Sequence, residues 1–246
     1  MNFFEAPEAK RVQDIFSRVA SRYDLANDVL SLGIHRLWKN KLVQKVPPNT
    51  SLRVLDCATG TGDLAKAWKQ HLGPHSTVVA TDFNPEMLRL GPEKAKGFNI
   101  DFQIADVLDL PFPDASFDVV SISFGIRNVS DPQKGLGELA RVLKPGGQLL
   151  VLEFGQPQNL LSYPYRLYSQ RILPRIGGWL TRAPDAYQYL ERSSAQFPCG
   201  ENFVQWIQAS ARFDKVSFER LSFGIAYLYC AKTENPSQTE SNKACS

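Results

Sequence analysis

Three carboxylates follow three successive apolar runs, and their spacing is the first sign of chemistry in this chain. Asp56 closes Arg53-Val-Leu-Asp and is followed at once by the turn Cys57-Ala-Thr-Gly60-Thr61-Gly62. Asp82 closes Val78-Val-Ala-Thr-Asp, and Asp106 comes just after Ile104. An apolar strand, a glycine turn and a helix start form the ligand crevice of an open α/β sheet. Glycine is needed there because a Cβ would collide with a ligand lying against the backbone.

Each acid has a bland reading beside its functional one. Asp82 lies 20 residues beyond Gly62, the separation at which an acid accepts both hydroxyls of a ribose; alternatively it caps a helix beginning near Pro85. Asp106 is placed to accept from an adenine amino group, or is a loop acid. Gly60 to Ala65 also fits a loose dinucleotide pattern. A carboxylate at position 56, however, repels a pyrophosphate and welcomes an ammonium and a sulfonium. S-adenosylmethionine fits all three acids. A nicotinamide-dependent oxidoreductase would use the glycines and Asp82 and leave Asp56 and Asp106 without a role.

The elements that must position these residues alternate along the chain. Strand-like runs fall at 52–56, 78–82, 100–104, 117–123 and 148–154, with helices expected at 62–71, 85–96 and 132–143. That alternation means a parallel sheet with crossover helices. Lys144-Pro-Gly-Gly147 reads as the turn into the fifth strand. A helix at 201–212 and two further strands at 216–221 and 224–231, the last pair antiparallel, complete the expected sheet. Residues 8–46 read as an N-terminal helical cap, with Val12, Ile15, Phe16 and Val19 at helical spacing. The expected organisation is one domain over 1–231, followed by a disordered polar tail over 232–246.

Residues 156–200 break the alternation. They carry five of the eight tyrosines (Tyr163, Tyr165, Tyr168, Tyr187 and Tyr189), and five arginines against Asp185 and Glu191. A helical insertion over the C-terminal edge of the sheet is expected here. Its tyrosines offer apolar faces with polar tips, or simply pack the insertion onto the core.

Composition narrows the class. The chain has 246 residues, 43% of them hydrophobic and 22% charged, with a formal charge of +3. That charge is too small to mark a nucleic-acid binder. Four scattered cysteines without a C-x-x-C pair argue for a reducing compartment and against structural zinc. With only His35, His71 and His75 as histidines, no metal centre is expected, and His71 and His75 read as solvated. Cys57 reads as a small buried residue. No run has the roughly 18–20 apolar residues of a spanning helix, and Met1–Glu8 carries acids where a signal peptide needs bases. A cytoplasmic protein is expected, with peripheral contact at the inner membrane surface left open.

The fourth strand leads into Ser121-Ile-Ser123-Phe-Gly-Ile-Arg127-Asn128-Val129, a polar loop above the expected cofactor. Phe124–Val129 resembles the ubiquinone/menaquinone biosynthesis C-methyltransferase family. So do Phe16-Ser-Arg-Val-Ala-Ser-Arg-Tyr23-Asp24, Asn27-Asp28, Ser31-Leu-Gly-Ile-His35-Arg36-Leu-Trp38-Lys39, Val142-Leu-Lys-Pro-Gly-Gly147, Leu152-Glu-Phe154, Leu173-Pro-Arg-Ile-Gly177 and Tyr187-Gln-Tyr-Leu190. The resemblance spans about residues 10–231. It implies a class I (Rossmann-like) α/β methyltransferase, with a mostly parallel seven-stranded sheet and helices on both faces. It also implies S-adenosylmethionine as cofactor and a prenylated quinol as substrate.

Cofactor contacts of the family fall on Thr61, Asp82, Asp106, Val107 and Ser123, beside Asp56, Gly60 and Gly62. A quinol, unlike a quinone, has the electron density to attack a methyl group, most readily as its phenolate. Arg127 stays protonated and suits phenolate stabilisation, or forms a structural ion pair; Asn128 can donate to the same oxygen. The base is a water, His35 or Asp24, and His35 alternatively makes only a polar contact at a helix start. Tyr23 closes over the methionine end of the cofactor or packs. A homodimer or partner enzymes of quinone biosynthesis are compatible with the resemblance, as is another small aromatic or lipid substrate. The short N-terminal extension inclines the reading to demethylmenaquinol.

Overall fold

The fold follows from where the apolar runs can pair, and a computed structural model shows seven strands in one sheet. The structure describes residue 4 and residues 6–157, 163, 167–181 and 183–234. Tyr165 and residues 235–246 lie outside the described residues; of the tail expected from 232, Lys232 and Thr233 instead end the last strand.

The strands are β1 (Arg53–Cys57), β2 (Thr77–Asp82), β3 (Ile100–Ile104), β4 (Phe117–Ser123), β5 (Leu143–Phe154), β6 (Phe213–Leu221) and β7 (Ala226–Thr233). Their order is β3-β2-β1-β4-β5-β7-β6. β1 to β5 are parallel, and β7 runs antiparallel to both β5 and β6. This is the mostly parallel α/β sheet of the class I methyltransferases. The order reverses direction between β1 and β4, so the crevice beyond their C-terminal ends is the place for a ligand.

Helices cover both faces. Trp38 and Leu42 of α3 (Ile34–Val43) and Leu64, Trp68 and Leu72 of α4 (Asp63–Leu72) pack on the side of Val54, Val78 and Leu150. Leu136 and Leu139 of α7 (Pro132–Arg141), with Phe203 and Ile207 of the helix Glu201–Ser210, pack on the side of Leu55, Val120 and Leu149. Val54 and Leu55 thus serve opposite layers, as the two-residue period of a strand requires. The central strands β1, β2 and β4 are covered on both faces, which is why these runs are mostly apolar, whereas the edge strand β3 alternates apolar and polar residues.

The N-terminal segment forms α1 (Ala9–Val19), a short 3-10 turn (Ala20–Arg22), α2 (Tyr23–Ser31) and α3. The helix expected over 85–96 is two short ones, α5 (Pro85–Leu88) and α6 (Gly91–Lys94). Gly91, which opens the second, packs against Phe102, whose ring would sit 2.4 Å from a Cβ there. β5 begins at Leu143, earlier than expected; the Lys144–Gly147 segment is a register irregularity within it, with Gly146 at φ +74°. His71 is half-buried with Nε2 2.7 Å from the Val46 carbonyl, where a solvated side chain was expected. Beyond β5 lie a π-helical turn (Tyr168–Ile172), α8 (Leu173–Thr181) and α9 (Pro184–Gln196).

Ile15, Val19 and Ala26 pack with Ala183, Ala186 and Tyr187 in a small separate core. The N-terminal helices and the insertion therefore form one cap, sharing a core that neither could bury alone.

Candidate active site

The β1 to α4 turn sets the floor of the site. Gly60 and Gly62 take φ +59° and +82°, the left-handed region that glycine adopts without strain. Ala58 is also held at φ +48°, and a Cβ on Gly125 would meet the Ala58 Cβ at 2.6 Å. The loops after β1 and β4 thus touch across the switch point. Strained backbone of this kind gathers at functional sites.

A pocket opens there. Gly60, Asp82, Asn84, Asp106, Val107, Gly125 and Asn128 line it from the sheet side, and Val12, Gln13, Phe16 and Tyr23 close it from the cap. Phe83, Met87, Leu108 and Val129 complete apolar walls. A flat heteroaromatic ring with a polar sugar suits such a slot.

Asp82 is aimed by the backbone. Oδ2 accepts from Gly60 N at 2.7 Å and Oδ1 from Asn84 N at 2.8 Å. Each oxygen retains a lone pair, so a vicinal diol can be held by both. The enclosing walls push its carboxyl up to about 6, against the pull of those two N–H groups. The helix cap belongs to Asn84, whose Oδ1 accepts from Glu86 N and Met87 N. Asp106 accepts from Leu108 N at 2.9 Å and lines the pocket beside Val107. Two carboxylates at neighbouring strand ends, between apolar walls, form a donor set that fits an adenosine.

Other expected residues stand back from the pocket. Asp56 is fully buried, with Oδ2 accepting from Thr59 at 2.6 Å and Oδ1 from Ser121 at 2.8 Å. Trp68 Nε1 in turn donates to Ser121 at 2.9 Å. Burial lifts Asp56 to about 6 despite those hydroxyls. Its geometry is that of a brace for the Thr59–Gly60 turn. Thr61 donates to Asp24 Oδ1 at 2.7 Å and accepts from Lys94 Nζ at 2.9 Å. Lys94 also bridges Asp24 and Asp63, and Lys39 reaches Asp63 at 3.3 Å. Burial alone would raise Asp63, but the two ammonium groups outweigh it and hold the carboxyl at about 2. This network ties α2 and α3 to the glycine turn. Gly62 and Ser123 lie outside the pocket lining.

The β4 loop separates its two polar residues. Arg127 is 2% exposed and faces inward, with Nη1 2.6 Å from Glu153 Oε1 and 2.7 Å from the Phe124 carbonyl. Burial raises the Glu153 carboxyl and Arg127 opposes that rise. Asn128 faces the pocket. Its Oδ1 accepts from Tyr189 Oη at 3.0 Å, and its amide nitrogen lies 3.3 Å from the Phe124 carbonyl. Tyr189 therefore fixes which way the amide points.

His35 is buried outside the pocket lining. Its Nε2 is 3.2 Å from Asp28 Oδ1, yet neither ring nitrogen makes a hydrogen bond among the described residues. Burial, helped by Lys39, lowers it to about 4. It is neutral at physiological pH. Tyr23 lines the pocket edge-on to Phe16, and burial raises its phenol.

Sequence reasoning missed the wall supplied by α1 and the clasp that holds it. Asn84 Nδ2 donates to the Gln13 carbonyl at 2.9 Å and contacts Ser17 Oγ at 3.0 Å. Asn84-Pro85 was a readable cap-plus-proline start, but nothing local shows that its other end grips α1. Tyr189 and Glu153 were legible as residues and not as partners.

The described residues contain no group of side chains that could hold a metal ion. None of their helices is long and apolar enough to cross a membrane.

Comparison with known proteins agrees with this geometry. The model of the ubiE/COQ5 methyltransferase family matches residues 5–232. A ubiquinone/menaquinone biosynthesis C-methyltransferase UbiE from Bdellovibrio bacteriovorus is 50% identical over 227 residues, covering 91% of this chain and 96% of that protein. The UbiE of Pseudomonas aeruginosa strain LESB58 is 42% identical, covering 93% and 91%. Among solved structures, a SAM-dependent methyltransferase from Thermotoga maritima superposes with a TM-score of 0.63 at 18% identity, covering 90% of this chain and 99% of that one. A Haemonchus contortus N-methyltransferase complexed with S-adenosylhomocysteine gives 0.65 at 16% identity, covering 91% and 60%. The structural likenesses speak for the fold.

Proposed function

The chain belongs to the ubiE/COQ5 methyltransferase family, and from that premise we propose that it methylates a ring carbon of a prenylated quinol in menaquinone or ubiquinone biosynthesis. The observation that supports the reading is that Asp82, Asp106 and Asn128 line one pocket together. When bound, S-adenosylmethionine supplies an electrophilic methyl group on sulfur. Asp82 would hold the ribose, Asp106 the adenine amino group and Val107 the ring face. Gly60 leaves room for the cofactor backbone, while Thr61, Gly62 and Asp56 keep the turn in shape; Ser123 ends the strand below.

The acceptor carbon must lie in line with the breaking bond, and holding it there is the main rate gain open to these residues. Asn128 would donate to the acceptor oxygen through the second hydrogen of Nδ2, whose first meets the Phe124 carbonyl, while Tyr189 holds Oδ1. The ring carbon gains the methyl group and then loses its proton to water, since Asp24 is held by Thr61 and Lys94 outside the pocket lining. Arg127, neutralised by Glu153 and outside the pocket lining, would serve as the structural ion pair that holds the loop presenting Asn128. His35, neutral and set back, would support the α2 to α3 elbow.

The tyrosine-rich insertion would cover the ring and admit the isoprenoid tail. Peripheral contact at the inner membrane surface follows from a substrate of that kind, and homodimers or quinone-biosynthesis partners belong to the same reading.

The test is transfer from labelled S-adenosylmethionine to a short-tailed demethylmenaquinol and to the matching benzoquinol, each reduced and oxidised. Product from reduced rings only is expected, and the faster ring names the branch. Cofactor binding without product from either ring would overturn the quinol assignment.

A further inference from the structure

We infer that the α2 to α3 elbow and the Ser222–Gly224 turn form a bilayer-docking face that inserts Leu32, Leu37 and Phe223 among anionic lipids. Leu32 is 87% exposed, Phe223 73% and Leu37 66%. Single exposed apolar residues are ordinary, but two of these are also conformationally costly. Leu32 sits at φ +51° and Phe223 at φ +59°, where glycine or asparagine would be cheaper. Leu32 closes the end of α2, its N–H donating to the Asp28 and Val29 carbonyls, but neither side chain returns its cost by burial. An observed outlier of this kind points to function.

The two tips belong to one surface. Trp38, next to Leu37 on α3, donates through Nε1 to Ser222 Oγ at 3.0 Å, which ties the elbow to the turn bearing Phe223. Leu25 and Val29, one turn apart on α2, extend the apolar side. The tips project from separate turns, a shape suited to a fluid acyl phase.

Charge selects the lipid. The cations of α3 are already paired, Arg36 with Asp28, Lys39 with Asp63 and Lys41 with Glu219, so the selecting charge comes from beside it. Helix α8 packs against α2, and the exposed Arg171 and Arg175 beside it meet no carboxylate among the described residues. Cations beside an apolar tip favour an anionic headgroup layer. The inference rests on the quinol reading for its purpose, since an isoprenoid tail keeps the substrate in the bilayer.

The test is flotation of the full chain with vesicles of phosphatidylcholine alone and of phosphatidylcholine with phosphatidylglycerol. Wild type should float with the anionic vesicles. The triple variant L32S/L37S/F223S should partition at least about tenfold less, keep its turnover of a soluble short-tailed quinol, and lose turnover of a long-tailed quinol in vesicles. Leu32→Gly, which suits the backbone, should raise Tm yet float less than wild type. A wild type that floats with neither composition, or a triple variant that floats as well as wild type, would overturn the proposal. A wild-type dimer split by the triple variant would assign the face to a second copy and overturn it too. Absent quinol turnover with intact, tip-dependent flotation would leave this proposal standing and sink the quinol assignment.

Discussion

Arg127 and Glu153 form an ion pair of 2.6 Å between side chains that are 2% and 1% exposed. Arg127 also stacks its guanidinium over Phe154 at 5.1 Å and holds the Phe124 carbonyl. The pair joins the end of β5 to the loop after β4. With Arg127 locked inward, Asn128 brings its amide to the pocket, beside Gly125, Val129 and Ser130. Removing one partner strands a buried charge. Glu153→Ala should therefore cost about 3–5 kcal/mol of unfolding free energy, read by urea denaturation, and a loss within 1 kcal/mol would refute the pairing as a structural tie.

Asp82→Asn should weaken S-adenosylhomocysteine binding roughly 10- to 100-fold, the worth of charge-assisted hydrogen bonds. Calorimetric titration checks this. In wild type, affinity should also fall as pH drops through about 6, where the Asp82 carboxyl takes up its proton.

The same group has the opposite effect on the cofactor-free fold. Its folded pKa lies above the unfolded value, so its favourable contribution is complete below about pH 4 and is lost as pH rises through about 6. His35, lowered to about 4, acts with the opposite sign over much of that window. The difference between Asp82→Asn and wild type isolates Asp82. The variant's gain in apo melting temperature should be near zero at low pH and full above 6; a gain independent of pH would contradict the shift.

His35 itself should titrate near 4 and not near 6.5. Following its imidazole signals by NMR gives the answer directly. A midpoint above 6 would show that Asp28 outweighs the burial.

Tyr189→Phe removes one hydrogen bond to Asn128 and no packing volume. A net loss of about 0.5–1.5 kcal/mol would lower kcat roughly 2- to 10-fold with the cofactor Kd unchanged. Equal effects on both would place Tyr189 in cofactor binding.

Asn84→Ala should cost about 1 kcal/mol for the lost cap and also free α1 from Gln13 and Ser17. Faster release of bound labelled S-adenosylhomocysteine is the expected sign. Unchanged release would mean that α1 is held by Val12 and Phe16 alone.

The sequence alone determined the alternation of strands and helices and the glycine turn, because each depends on spacing within one segment. It also determined that Asp82 and Asp106 stand at neighbouring strand ends, since a parallel sheet brings those ends together. Tertiary structure decided the side-chain directions. Asp56 and Asp82 both close central strands, yet one is braced by Thr59 and Ser121 while the other faces a pocket. Arg127 and Asn128 are adjacent in sequence, but a partner 26 residues away turns the first inward and Tyr189, 61 residues away, fixes the second. The wall made by α1 depends on Asn84, 67 residues from Ser17. Local pattern carries periodicity and turn chemistry. Which buried polar group finds which partner is set only when distant segments pack, because a desolvated charge or amide must be satisfied by whatever the fold brings beside it.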